Sequence, residues 1–162
     1  MSSSKPGTQK TSAPLNLERI VVAFDGSEYA RKAFRAAMEI AKNARGKLMV
    51  VEVIGIPVYF MQGGPGLPPM DVSGYLESAR KAAEAQLAQL VLEAKAGGVA
   101  ASCDVLQIGD NTAQVIIDYA IGQRAGLIVI GSRGLGGFKK LLLGSVSSAV
   151  VSHAQCPVLV VR

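Results

Sequence analysis

The chain has 162 residues, of which 49% are hydrophobic, 18% charged and 5% aromatic, with a formal charge of +5. That length suits one domain with a proper core, and the composition excludes a collagen-like or wholly disordered chain. No apolar run approaches the roughly 18 residues needed to span a bilayer, and the basic residues form no stripe interleaved with aromatics, so nucleic acid is not an expected partner.

Residues 1–16 are rich in Ser, Lys, Pro, Gly, Thr and Gln and read as a disordered tail, leaving 17–162 as the domain. The tail has no hydrophobic signal core, which sets the expectation of a cytoplasmic protein. RIVVAF, residues 19–24, is the first strand. From Ser27 to Ala44, the apolar residues Ala30, Ala33, Phe34, Ala37, Ala41 and Ala44 recur at helical spacing, with Gly46 as the expected stop. KLMVVEVI, 47–54, is the second strand.

The Gly/Pro-rich segment GIPVYFMQGGPGLPPM then continues neither pattern. A long helix is expected over Ser73–Ala96, with Leu76, Ala83, Leu87, Leu90, Val91 and Ala94 on one face and Gly97-Gly98 ending it. The third strand lies within 99–108. Asp110 or Asn111 then caps a helix that carries Ala113, Ile116, Ile117 and Ala120. LIVI, 127–130, is the fourth strand; a helix over Ser145–Ala154 leads to PVLVV, 157–161, the fifth. Five apolar strands alternating with four helical segments predict an α/β fold: a Rossmann-like, open, five-stranded parallel sheet with helices on both faces.

Ligands of such sheets bind beyond the carboxyl ends of the strands, where the strand order reverses. Two loops carry unusual chemistry there, Asp25-Gly26-Ser27-Glu28 after strand one and Gly131–Ser145 after strand four. A 3-2-1-4-5 order makes those strands neighbours; a 2-1-3-4-5 order separates them. Glycines at the end of strand four permit positive φ and close approach, so backbone amides can turn inward on an anion. The helix that opens at Ser145 adds free amides, Ser145 and Ser147 add hydroxyls, and Arg133, Lys139 and Lys140 supply charge. The same glycines also suit an ordinary flexible loop, and no Walker A or GxGxxG pattern is present. Asp25 has two readings as well. It caps the first helix in a box with Glu28, or Ser27 caps and leaves the carboxylate free to accept a ribose hydroxyl.

Cys103 and Cys156 have no metal-ligand spacing, and both read as small buried apolar side chains. His153 is the single histidine, placed in the last turn of the final helix, and reads as structural.

VVAFDGSEYARKAFRAAMEIA, GLIVIGSRG and LLLGSVSSAVVSHAQCPVLVV together resemble the universal stress protein family. Gly131, Gly134, Gly144 and Ser145 fit the G-x2-G-x9-G-[ST] spacing of its nucleotide-binding branch. The resemblance implies a 3-2-1-4-5 sheet with ATP at the junction of strands one and four, and Mg²⁺ held by the phosphates. By that analogy Asp25 holds the ribose and Val53 meets the adenine through its backbone. Ala23, Phe24 and Ile130 line base and ribose. The amides and hydroxyls of Gly131, Arg133, Gly134, Gly144, Ser145, Val146 and Ser147 hold the phosphates. Family members commonly dimerise through the last strand, so 157–161 is expected to form a homodimer.

The implied activity is regulatory binding rather than catalysis. Alternatives are a module sensing AMP, cyclic AMP or a cyclic dinucleotide, or a slow ATPase. Neither the SGGxDS-like nor the HxGH motif of ATP pyrophosphatases and adenylyltransferases occurs. Tyr59, Phe60 and Met61 suggest either a lid over the base or an apolar packing segment.

Overall fold

The five strands among the described residues all run in the same direction, so each connection must cross over a sheet face, and the helices do so on both sides. The computed structural model describes residues 15–56, 71–108, 111–136 and 142–162. The strands are β1 (Arg19–Ala23), β2 (Lys47–Ile54), β3 (Ala101–Gln107), β4 (Leu127–Gly131) and β5 (Val158–Val161). The helices are α1 (Glu28–Ala44), α2 (Val72–Ala96), α3 (Thr112–Gly122) and α4 (Ser145–His153). The sheet order is β3-β2-β1-β4-β5, all parallel. Strands one and four are therefore neighbours, and the 2-1-3-4-5 alternative is excluded.

Alternation along each strand divides the core in two. Ile20, Val22, Leu48, Val50 and Val129 meet α1 and α2, whereas Val21, Met49, Val51, Ile128 and Ile130 meet α3 and α4. Because β1 and β4 are covered on both faces, they read as continuous apolar runs rather than alternating ones. Helix α1 presents Ala30, Ala33, Phe34, Ala37 and Ala41 to the sheet. Its small residues let the helix lie close, and Phe34, fully buried, fills the space that remains. Truncating Phe34 to Ala should cost about 3–5 kcal/mol.

Local details depart from expectation in several places. Helix α1 ends on Arg45, which takes the left-handed conformation at φ 55° while its amide bonds back into the last turn. Gly46 is a glycine for a different reason: a Cβ there would collide with the Leu17 carbonyl oxygen. At the start of α3 the cap is Asn111, whose Oδ1 accepts from the amides of Ala113 and Gln114; Asp110 lies outside the described residues. On α2, Ala83, Leu87, Leu90 and Ala94 are buried, and Leu76 and Val91 only half-buried. Cys103 and Cys156 are free and half-buried rather than fully buried, and burial pushes both thiols above their ordinary pKa. Among the described residues, no helix is long and apolar enough to cross a membrane.

Candidate functional site

Register fixes where the chemistry gathers. Ala23 pairs with Val51 of β2 and with Ile130 of β4, so β1 and β4 end within a residue of each other while β2 runs on to Ile54 beside them, and the loops after β1 and β4 rise side by side. Above them opens a cavity of about 570 Å³. Ala23, Phe24, Asp25, Val53, Ile130, Gly131, Arg133, Gly134, Gly144, Ser145, Val146 and Ser147, the residues singled out from sequence, all line it. Ala30, Val51, Thr112, Ile116, Leu135 and Gly136 line it too, and sequence reasoning missed them. Thr112 and Ile116 come from α3, a helix without motif character that reaches the site only through the sheet's winding. Tyr59, Phe60 and Met61 lie outside the described residues.

Asp25 does not cap α1. Ser27 does, its Oγ accepting from the Ala30 amide at 3.1 Å, while Glu28 pairs with Lys32 along the helix surface. The Asp25 carboxylate instead joins the two loops. Its Oδ1 accepts from the Ser27 amide at 3.0 Å and its Oδ2 from the Leu135 amide at 3.2 Å. Each carboxylate oxygen has a second lone pair, so Asp25 retains acceptor capacity toward the cavity.

The described part of the loop after β4 is not built on left-handed glycines. Among the described glycines only Gly26 and Gly98 have positive φ. Gly131, Gly134 and Gly144 are set apart by what surrounds them. A Cβ on Gly131 would stand 2.7 Å from the Tyr29 carbonyl carbon and 2.9 Å from the Ala30 nitrogen, inside the first turn of α1. A Cβ on Gly134 would stand 2.5 Å from Asp25 Oδ2. A Cβ on Gly144 would meet its neighbours only at 3.5 Å, ordinary contact. Packing against backbone therefore requires the first glycine, the present position of the Asp25 carboxylate requires the second, and the third is left unexplained.

Gly144 is the N-cap of α4, and it provides no side-chain cap. The first amides of a helix lack intrahelical partners and carry its positive pole, so this start can receive an anion or a backbone-sized group. The Ser147 hydroxyl does not supplement it as expected. That hydroxyl donates to the carbonyls of Ser132 and Gly144, 3.0 Å from each, and so ties the loop to the helix. Lys139 and Lys140 lie outside the described residues.

Among the described residues, two with ionisable side chains line the cavity, Asp25 and Arg133. The Arg133 guanidinium lies 4.9 Å from the centre of the Tyr29 ring, and its Nε is buried without a partner. Behind the cavity, on the opposite face of β2, burial and then the nearby Asp25 charge raise the pKa of Glu52, whose Oε2 is also buried and unpartnered. His153 is exposed at the far end of α4, with Nδ1 2.9 Å from the Ala149 carbonyl oxygen, remote from this chemistry. Among the described residues, no group of three His, Cys, Asp or Glu side chains is placed to hold a metal.

The model of the universal stress protein family matches residues 16–162, nearly the whole chain. The chain belongs to the universal stress protein family. A universal stress protein of Thermus aquaticus is 36% identical over 143 residues, covering 88% of this chain and 97% of that one. The solved structure of universal stress protein UspA from Lactobacillus plantarum superposes with a TM-score of 0.77 at 27% identity, covering 90% of this chain and 98% of that one. A universal stress protein solved in complex with cAMP shares the fold at a TM-score of 0.62 and 24% identity, covering 90% of this chain and 96% of that one.

Proposed function

We propose that this universal stress protein is a cytoplasmic, regulatory adenine-nucleotide binder, with ATP as its principal ligand. The observation that carries the reading is the pairing of opposite chemistries across one cavity. Asp25, an acceptor, stands on the β1 side, and the uncapped start of α4, a donor pole, stands on the β4 side. A nucleotide has a ribose diol to donate and phosphates to accept, joined by a short link. Between these poles the wall of Val51, Val53, Ile116 and Ile130 offers an apolar surface for a base. Gly144 supports the same reading, since its missing side chain leaves the helix start open to close approach.

Mg²⁺ would ride on the phosphates, because the described residues of the cavity wall provide a single carboxylate. When bound, it would neutralise phosphate charge. Regulatory binding is the reading this favours, since Asp25 already accepts from two amides and, among the described residues, no second acid or histidine lines the cavity to activate a water. Homodimerisation through β5 accompanies the reading: this edge strand is apolar over Val158–Val161. The cAMP complex of the distant relative makes AMP and cAMP the alternatives to set against ATP.

The test is thermal unfolding of the full chain with and without millimolar nucleotide and Mg²⁺. At about 100 times Kd the ligand should stabilise by about 2.7 kcal/mol. No shift with ATP, AMP or cAMP would end the reading. Turnover of many ATP per second would end its non-enzymatic part.

A further inference from the structure

We infer that Arg133 makes this site selective for a nucleotide with a polyphosphate tail over a nucleoside monophosphate or its cyclic ester. The inference rests on the nucleotide reading of the cavity and goes beyond it by assigning the choice of ligand to one side chain.

Arg133 is placed to bridge two elements. Its backbone abuts the start of α4, with its Cα 3.5 Å from where a Cβ on Gly144 would stand. Its guanidinium reaches the other way and lies over the Tyr29 ring in the first turn of α1. Stacking on an aromatic face holds a guanidinium without neutralising it. Among the described residues no carboxylate neutralises it either: the ion pairs join Arg31 to Glu93, Lys32 to Glu28, Arg80 to Glu84 and Lys81 to Glu77. Its Nε donor is buried and unpartnered. Arg133 and the start of α4 both line the cavity, so two positive groups on different elements are at hand for a ligand there: the bare amides of α4 and the guanidinium docked on α1.

A nucleoside monophosphate has one anionic centre, fixed one ester bond from the ribose, and it can occupy one of these poles. A di- or triphosphate distributes several anionic centres along a flexible chain and can occupy both. A 3′,5′-cyclic ester is doubly disfavoured, since closing the ring also consumes a ribose hydroxyl that Asp25 would otherwise accept. Arginine suits the task because its planar fork donates two parallel bonds to phosphate oxygens.

The experiment is calorimetric titration of the full chain with ATP, ADP, AMP and cAMP in the presence of Mg²⁺, for the wild type, Arg133→Met and Arg133→Lys. Wild type should bind ATP at least about tenfold more tightly than AMP or cAMP, the scale of one charge-assisted contact. Arg133→Met should weaken ATP by about tenfold and AMP by less than about twofold, with Arg133→Lys, which keeps the charge but loses the fork, recovering only part of the loss. Equal weakening of all four ligands, or unchanged ATP affinity in Arg133→Met, overturns the proposal. So does a wild type that binds AMP or cAMP as tightly as ATP, a comparison that decides even if the Met variant does not fold. A wild type that binds none of the four removes the nucleotide reading itself, and the selectivity with it.

Discussion

Asp25 Oδ2 occupies the space that a side chain on residue 134 would need, 2.5 Å from the position of its Cβ. The same oxygen accepts from the next amide but one along the chain from Arg133, that of Leu135. Gly134 and Asp25 therefore form one joint between the loop after β1 and the loop after β4. The three glycines of the spaced motif should consequently fail in three different ways.

Gly131→Ala should act on stability. Its Cβ would press on the backbone of α1, which cannot turn aside as a side chain can. Overpacking of this kind costs typically about 1–3 kcal/mol. Chemical denaturation should show that loss, and any residual folded protein should bind normally.

Gly134→Ala should act on the site. The colliding atom is the end of a short side chain that can rotate away, so stability should change by less than about 1 kcal/mol. Rotation breaks the Leu135 bond and misplaces the carboxylate, so nucleotide affinity should fall by about tenfold or more. Gly144→Ala fits without a clash, and here too binding should suffer more than folding. Paired melting and titration curves separate the three cases.

Ser27→Ala and Asp25→Asn should also divide. Ser27 caps α1, so its loss should cost about 1 kcal/mol of stability. Asp25→Asn keeps the cap and one acceptor oxygen but turns its NH2 toward either the Ser27 or the Leu135 amide, so it should cost about 1 kcal/mol of stability and weaken nucleotide binding by more than that. A large stability loss with unchanged affinity would make Asp25 a structural residue after all.

Glu52 should make the protein less stable as the pH rises. Burial, reinforced by Asp25, holds its carboxyl above its ordinary value of 4.5. Between that value and the raised one, the folded chain keeps a proton that the unfolded chain has released, so stability falls with rising pH. Glu52→Gln removes this dependence. The stability difference between variant and wild type should grow in the variant's favour from pH 4.5 upward and then level off. Parallel pH profiles would show that Glu52 does not titrate in this way.

The dimer prediction follows from hydrogen-bond parity. The carbonyls of Pro157 and Val161 accept from Ile128 and Ser132, so odd-numbered residues of β5 turn toward β4. Alternation turns the backbone groups of Val158 and Val160 outward. Val160→Pro should therefore halve the mass seen by light scattering while keeping the fold. A wild type of monomeric mass at micromolar concentration would exclude the dimer.

Fold class was legible from the chain because each strand is an apolar run and each helix has its own period. Both are local consequences of burial. Spacing around Gly131, Gly134, Gly144 and Ser145 marked one wall of the cavity, and the resemblance it carried added Asp25, Val53 and their neighbours but not Val51, Thr112 or Ile116. Roles within that wall were less legible. Capping by Ser27 or Asp25 is a choice between two oxygens two residues apart, settled by where the Leu135 amide arrives from a distant strand. The conformation of Gly131 could not be inferred either, because its need for glycine comes from the packing of α1, not from its own φ.

By itself, then, the sequence determined the alternation of strands and helices, the two chemically unusual loops, and membership of a family. Through that family it also implied the 3-2-1-4-5 order that makes strands one and four neighbours, while tertiary structure alone decided that α3 contributes Thr112 and Ile116 and that Arg133 rests on Tyr29. The physical reason is range. Periodicity and capping act within a few residues along the chain, whereas the cavity is assembled from groups more than a hundred positions apart, brought together by sheet order and register.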